Sequence, residues 1–330
     1  MSKPIVNTTH YPFSFNFASA NANESLSLPD TTNVCGRIPS IQASRLRSMI
    51  LEAHDDPSKI LAQVCSYDAL TSKLCEEAGF PAVFLAGYAI ASSLALPDTG
   101  YIAFQEVAAK IQEVVRAVNV PVIADGTRGF AHAGAAGIMI EDQTWPKRCG
   151  HTKGKSVVSR SEAYARWQAA VDARNNGVDI WILARTDSFI HGYDEALTRA
   201  KEAIRIGVDA VFVEALPDKA TMARLRNDLD FPVIANIIEG GKTENVSACD
   251  LAGIGYSAVL YPWILVAAKI KSVREALEGV KRNFAIDAPP VILGYQEVCE
   301  AVGFDRYYEL EERYQYEGST MGSRGYQWEK

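Results

Sequence analysis

Eight short apolar runs dominate the chain: ILAQVCSYD (60–68), AVFLAG (82–87), VPVIADG (120–126), GIMIEDQ (137–143), DIWILARTD (179–187), AVFVEAL (210–216), FPVIANI (231–237) and AVLYP (258–262). They are apolar almost throughout rather than alternating, the pattern of strands buried on both faces. Such strands form parallel sheets, whose crossovers lay helices over the outside. Most runs are preceded by a segment of helical spacing with a glycine near its end, such as LTSKLCEEAGF or ALTRAKEAIRIGV. Eight strand–helix units within roughly 200 residues predict an α/β fold, a (β/α)8 TIM barrel. The alternative, a doubly wound open sheet, lacks a GxGxxG turn after the first strand.

The flanks read differently. Residues 1–40 are rich in Asn, Ser and Thr without a sustained period, which predicts a disordered arm. From Ile41, IQASRLRSMILEAH predicts an N-terminal helix with Leu46, Ile50 and Leu51 near one face. After Pro262, WILVAAKIKSVREALEGV and GYQEVCEAVGFDRYYELEERYQ predict a C-terminal helical extension, and 317–330 a loose tail. The expected organisation is one barrel domain with its C-terminal helices over 41–316.

Composition narrows the function classes. With 48% hydrophobic and 22% charged residues the chain can build a core of ordinary size. A net charge of −7 argues against a nucleic-acid surface, which needs a clustered basic face. No apolar run approaches the ~18 residues of a membrane span. Six cysteines (Cys35, Cys65, Cys75, Cys149, Cys249 and Cys299) show no CxxC pair or zinc spacing. With no apolar signal segment at the N-terminus, they read as thiols in a reducing, cytoplasmic compartment. The arm is not Arg-rich, so a mitochondrial address has little support.

In a TIM barrel the C-terminal strand ends face the active site, and here those ends are polar. The third run ends in Asp125, the fourth in Glu141–Asp142 and the fifth in Arg185–Thr186–Asp187. The sixth carries Glu214, the seventh Asn236 followed by Glu239, and the loop after the second carries Asp98. Any one of these alone is an ordinary solvated strand end or helix cap; together they predict a site. Carboxylates beside an arginine suggest a hard cation such as Mg²⁺, which takes oxygen ligands and keeps several waters. The fork of Arg185 suits a substrate carboxylate. A Mg²⁺ enzyme acting on a small oxyacid is the expectation. The loop after the fourth run, TWPKRCGHTKGK (144–155), sets Cys149 among Lys147, Arg148, His151, Lys153 and Lys155. Cationic neighbours favour the reactive thiolate, and glycines at 150 and 154 suit a loop that closes over substrate. The alternative is a mobile basic surface loop with an incidental cysteine.

IEDQTWPKRCGH, with LPDTGY (96–101), ARTD (184–187), VEA (213–215) and NIIEGG (236–241), closely resembles the isocitrate lyase/phosphoenolpyruvate mutase superfamily. The likeness runs from about Arg45 to Tyr314. In this family the KRCGH element marks the small lyase branch, such as 2-methylisocitrate lyase and dimethylmalate lyase, and also oxaloacetate acetylhydrolase. The resemblance implies a Mg²⁺ site, with Mn²⁺ as a substitute, at Asp125, Asp98 and Glu141. It implies Cys149 as the catalytic cysteine, with Lys147, Arg148 and His151 in the same gating loop. Substrate-binding positions fall on Ala86, Gly87, Tyr88, Gly150, Arg185, Glu214 and Asn236. It also implies a homotetramer that exchanges a helix within WILVAAKIKSVREALEGV between subunits.

One stretch departs from the family pattern, VNVPVIADGTRGFAHAGAAGIMIEDQ (118–143). After the third strand the family reads D-x-D-T-G-Y-G and then a helix of roughly three turns. This chain reads IADG and passes directly to TRGFAHAG. The second aspartate, the glycine-rich loop and the start of the helix are absent. The ten residues 127–136 are a minimal crossover, since parallel strands need about 10–12. The expectation is a preserved fold with a third helix of about two turns and a weakened metal site. The expected activity is a Mg²⁺-dependent carbon–carbon lyase on a 2-hydroxy di- or tricarboxylate. The alternatives are oxaloacetate hydrolysis to oxalate and acetate, or a catalytically impaired, oligomer-forming homologue.

Overall fold

A computed structural model describes residues 37–150 and 154–315. All eight apolar runs are strands: β1 (Leu61–Ser66), β2 (Val83–Leu85), β3 (Val122–Asp125), β4 (Gly137–Glu141), β5 (Trp181–Thr186), β6 (Ala210–Val213), β7 (Ile234–Asn236) and β8 (Ala258–Tyr261). Every pairing is parallel, in the order β6-β5-β4-β3-β2-β1-β8-β7. A parallel bridge from Val211 to Val233 brings the two ends together, so the sheet is a nearly closed (β/α)8 barrel.

The helices are α1 (Ile41–Asp55), α2 (Ala69–Glu77), α3 (Gly87–Ser93), α4 (Phe104–Ala117), α5 (Arg160–Asn175), α6 (Tyr193–Ile206), α7 (Lys219–Asp228), α8 (Ala248–Gly253), α9 (Ile264–Asn283), α10 (Tyr295–Val302) and α11 (Phe304–Arg313). Local chemistry sets their ends. Asp68 caps α2 by accepting from Thr71 N at 2.8 Å, Asp218 caps α7 likewise, and Gly207 ends α6 in a left-handed conformation. Among the described residues no helix is long and apolar enough to cross a membrane.

Period-two alternation builds two cores from the same strands. Met139, Trp181, Leu183, Phe84, Phe212 and Leu260 pack in one, which α1 joins through Leu46 and Ile50. Ile138, Ile182, Ala184, Val83 and Val211 pack outward against the helices. Gly137, which starts β4, leaves no room for a side chain: a Cβ there would lie 3.0 Å from Leu46 and from Trp181. That close approach fixes α1 at the end of the barrel opposite the polar strand ends.

The β3–β4 crossover is shorter than the two-turn helix expected from the sequence. It holds one 3-10 helix, Arg128–Ala131. Its termini are tied by Gly126 N to Met139 O at 3.0 Å and Ala136 N to Val122 O at 2.8 Å. So few residues cannot repay the cost of nucleating an α-helix, and a single tight turn is what remains.

The described residues 269–315 fall in a second compact unit. In it α10 and α11 contact each other and contain no buried residue, and Leu277, Phe284 and Ile286 are exposed. The expected arm and tail fall mainly on 1–36 and 316–330, outside the described residues.

Candidate active site at the strand ends

Asp125 and Glu141 end neighbouring strands β3 and β4, and Asp98 reaches them from the loop between α3 and α4. All three turn toward Lys147. Its Nζ lies 3.4 Å from Asp98 Oδ1, 3.3 Å from Asp125 Oδ2 and 3.5 Å from Glu141 Oε1. Burial pushes Glu141 up to about 7, against the pull of Lys147 and Arg185, and it also raises Asp98. Burial opposes the charge on Lys147, but Asp125, Glu141 and Asp98 outweigh it and hold the ammonium firmly protonated. Gly87 makes room for the cluster, since a Cβ there would lie 2.9 Å from Asp125 Oδ2.

Three carboxylates around one cation are the donor set a hard metal ion takes, and the ammonium is a stand-in for one. The spacing follows the ammonium. Mg²⁺ draws oxygens to about 2.1 Å, and among the described residues no three His, Cys, Asp or Glu stand close enough to hold a metal. Lys147 thus fills the place that a divalent ion bound by Asp98, Asp125 and Glu141 would take. The charge of Lys147 pairs with these carboxylates. Lys155 pairs with Asp187, its Nζ 2.9 Å from Asp187 Oδ1.

Arg185 ends β5 beside this cluster, 8% exposed. Its Nε donates to Asp187 Oδ2 at 2.9 Å, and its Nη2 meets Glu214 Oε2 at 3.0 Å. Burial alone would raise Asp187, but Arg185 and Lys155 hold it at about 2. Behind it Asp142 accepts from Thr186 Oγ1 at 2.6 Å, Asp187 N at 2.9 Å and Arg199 Nη1 at 3.0 Å. This buried network fixes Asp187, and through it the direction of the Arg185 fork.

The described part of the KRCGH loop, residues 147–150, lies against these groups. Gln143 clamps it by accepting from Arg148 N at 3.0 Å and donating to Arg148 O at 2.8 Å. Gly150 rests on the Arg185–Glu214 pair; a Cβ there would fall 2.4 Å from Glu214 Cγ. Beneath the loop is a cavity of ≈ 50 Å³ lined by Ala86, Tyr88, Cys149, Arg185, Glu214 and Asn236, among others. That holds a few waters. Within the cavity wall Asn236 Oδ1 is buried with no hydrogen-bond partner, an acceptor suited to a ligand hydroxyl. Tyr88 stacks on Trp263 with ring centroids 5.0 Å apart.

The structure thus gathers Asp98, Asp125, Glu141 and Lys147 in one cluster, and Cys149, Gly150, Arg185, Glu214, Asn236, Ala86 and Tyr88 around one cavity, with Gly87 between them. Arg148 contributes its backbone to the Gln143 clamp. His151 and Lys153 lie outside the described residues. Sequence reading missed Trp263 and Arg199. Arg199 sits in α6 and is only 4% exposed.

The phosphoenolpyruvate phosphomutase family model matches residues 51–281. The chain is 31% identical over 288 residues to 2,3-dimethylmalate lyase of Eubacterium barkeri, covering 82% of this chain and 98% of that protein. It is 36% identical over 261 residues to the probable 2-methylisocitrate lyase 2 of Corynebacterium glutamicum, covering 75% of this chain and 85% of that protein. A crystal structure of 2,3-dimethylmalate lyase, a member of the PEP mutase/isocitrate lyase superfamily, superposes with a TM-score of 0.74 at 27% identity, covering 82% of this chain and 95% of that one.

Proposed function

The chain belongs to the phosphoenolpyruvate phosphomutase family, and from that premise we propose that it is a carbon–carbon lyase acting on a small 2-hydroxy di- or tricarboxylate of the 2-methylisocitrate or dimethylmalate type. The observation that carries this reading is the shared cavity of Cys149, Arg185, Glu214 and Asn236 beside the carboxylate cluster. Arg185 binds a substrate carboxylate through the fork that Asp187 aligns. Asn236 Oδ1 accepts from the 2-hydroxyl. Loss of the hydroxyl proton to a base turns that carbon into a carbonyl, and the adjacent carbon–carbon bond breaks. Its electron pair passes to the leaving fragment as an enolate-like carboxylate, and Cys149 returns a proton to that carbon. A 2-oxoacid such as pyruvate remains. Asp98, Asp125 and Glu141 would hold Mg²⁺, or Mn²⁺, once Lys147 withdraws, and the ion would supply positive charge for the developing oxyanion. We place the protein in the cytoplasm, consistent with its five described cysteines, none of them in a disulfide. Exposed apolar side chains of α9–α11 support assembly into a helix-exchanged homotetramer.

A second reading, a catalytically impaired oligomer-forming homologue, is favoured by the position of Lys147 and the shortened crossover. Assays at millimolar Mg²⁺ separate the two. Release of a 2-oxoacid from 2-methylisocitrate or 2,3-dimethylmalate is expected, and Cys149→Ser should lose most turnover while still binding substrate. Oxalate release from oxaloacetate alone would make the protein a hydrolase on the same scaffold. No turnover of any of the three, with no Mg²⁺-dependent change in melting, would leave the impaired homologue.

A further inference from the structure

Cys149 is held from both sides along the chain. After it, Gly150 rests on the Arg185–Glu214 pair, where a Cβ would fall 2.8 Å from Arg185 Nη2. Before it, one side chain grips the backbone directly. Gln143 Oε1 accepts from Arg148 N at 3.0 Å, and Gln143 Nε2 donates to Arg148 O at 2.8 Å. That carbonyl belongs to the peptide that carries Cys149 N. Between Trp145 and Gly150 no backbone hydrogen bond joins two described residues, so the Gln143 amide supplies what a ladder would supply elsewhere. Lys147 ties the same segment to Asp98, Asp125 and Glu141, but from the place a divalent ion would take. The hold of Gln143 does not depend on who occupies that place.

The anchor is itself fixed. Gln143 pairs with Val157 in an antiparallel bridge, and its carbonyl accepts from Arg166 Nη1 at 2.8 Å. Next to it, Val158 N donates to Asp142 O at 2.8 Å. The residue is only 4% exposed. The contacts require an amide. A carboxylate cannot donate to Arg148 O, an apolar chain can make neither bond, and a reversed amide would set oxygen against oxygen and N–H against N–H. The same Nε2 donates to Glu141 Oε2 at 3.3 Å. One buried amide therefore joins the carboxylate cluster to the peptide of the thiol.

We propose that Gln143 is a positioning residue, which acts through the Arg148 backbone to hold the Cys149 thiol at the cavity wall it shares with Arg185, Glu214 and Asn236. The consequence for catalysis rests on the lyase reading; the placement of the thiol does not.

Alkylation of the whole chain by iodoacetamide, followed cysteine by cysteine by peptide mass spectrometry, tests the placement without turnover. Cys249 on α8, partly exposed like Cys149, is the internal reference, and the buried Cys65 and Cys75 report on folding. Gln143→Met keeps the length of the side chain and loses its bonds. In it Cys149 should alkylate at least about fivefold faster relative to Cys249, with Cys65 and Cys75 still protected. Gln143→Asn, an amide one methylene too short, is read if the first variant exposes Cys65 or Cys75. An unchanged ratio of Cys149 to Cys249 in a variant that keeps those two protected would overturn the proposal. So would their exposure in both variants, which would make Gln143 a residue of the fold alone. Where the parent turns over 2,3-dimethylmalate, Gln143→Met should lower kcat at least about tenfold and change KM less than about threefold; a change in KM alone would also overturn it. A parent without turnover would sink the lyase reading and leave the alkylation result to decide this one.

Discussion

At Lys147, one ammonium stands within 3.5 Å of three carboxylates, and at Arg185 one guanidinium is shared between Asp187 and Glu214. Each invites a single substitution. Lys147→Met leaves the three carboxylates with only Arg185, 3.6 Å from Glu141 Oε2, as counter-charge, so they should take a divalent cation in its place. Millimolar Mg²⁺ is expected to raise the melting temperature of that variant by several degrees and that of the parent by less; equal shifts would contradict competition for one seat. Asp187 is held below its ordinary value, so its stabilising contribution is full above its unfolded pKa of about 3.9 and is lost as the folded carboxylate protonates near 2. Asp187→Asn should therefore cost on the order of 3–5 kcal/mol at pH 7, because it leaves buried cations short of a partner. Urea unfolding at pH 7, 4 and 2.5 should show that deficit narrowing only below about pH 4.

Among the elements, the β3–β4 crossover concentrates the unusual physics. Phe130 is the plug of its single turn, 3% exposed and stacked on Phe104 of α4 at 5.1 Å with planes 2° apart. Gly126 exists to admit it: with φ at 151°, a Cβ there would strike the Phe130 ring at 2.2 Å. With no long helix to share the load, this ring carries much of the contact between the turn and α4. Phe130→Ala is expected to destabilise by about 3–5 kcal/mol, measured by urea unfolding. A loss below about 1 kcal/mol would mean that the wall has already collapsed around the gap. The same element shows where sequence reading stopped. Ten residues between two buried strands announced a tight crossover, and they do close it. That the turn would be 3-10, and that the space beside it would stay open to the carboxylates, depends on where α4 and α5 stand.

For the molecule as a whole, the unit from Lys269 carries exposed apolar side chains. Leu277 is 62% exposed, Phe284 86% and Ile286 87%. Exposed apolar side chains of this kind are what the proposed assembly would cover. Leu277→Asp should shift the protein to a smaller species by light scattering after gel filtration, with the barrel still folded by circular dichroism. An unchanged mass would remove Leu277 from the assembly surface.

The sequence by itself determined the barrel, because a strand buried on both faces must be apolar along its whole length, and eight such runs with helical spacers admit few arrangements. It also marked Asp125, Glu141, Arg185, Glu214 and Asn236, since a polar side chain at the end of such a strand has only the barrel mouth to enter. Tertiary structure decided the partners. Seen in sequence, Lys147 is a neighbour of Cys149; in space it is a neighbour of three carboxylates gathered from two strand ends and a distant loop. Arg199 is buried against Asp142, 57 residues away along the chain. Charge pairing acts across a few ångströms whatever the separation along the chain, so only the folded arrangement could say which cation each carboxylate holds.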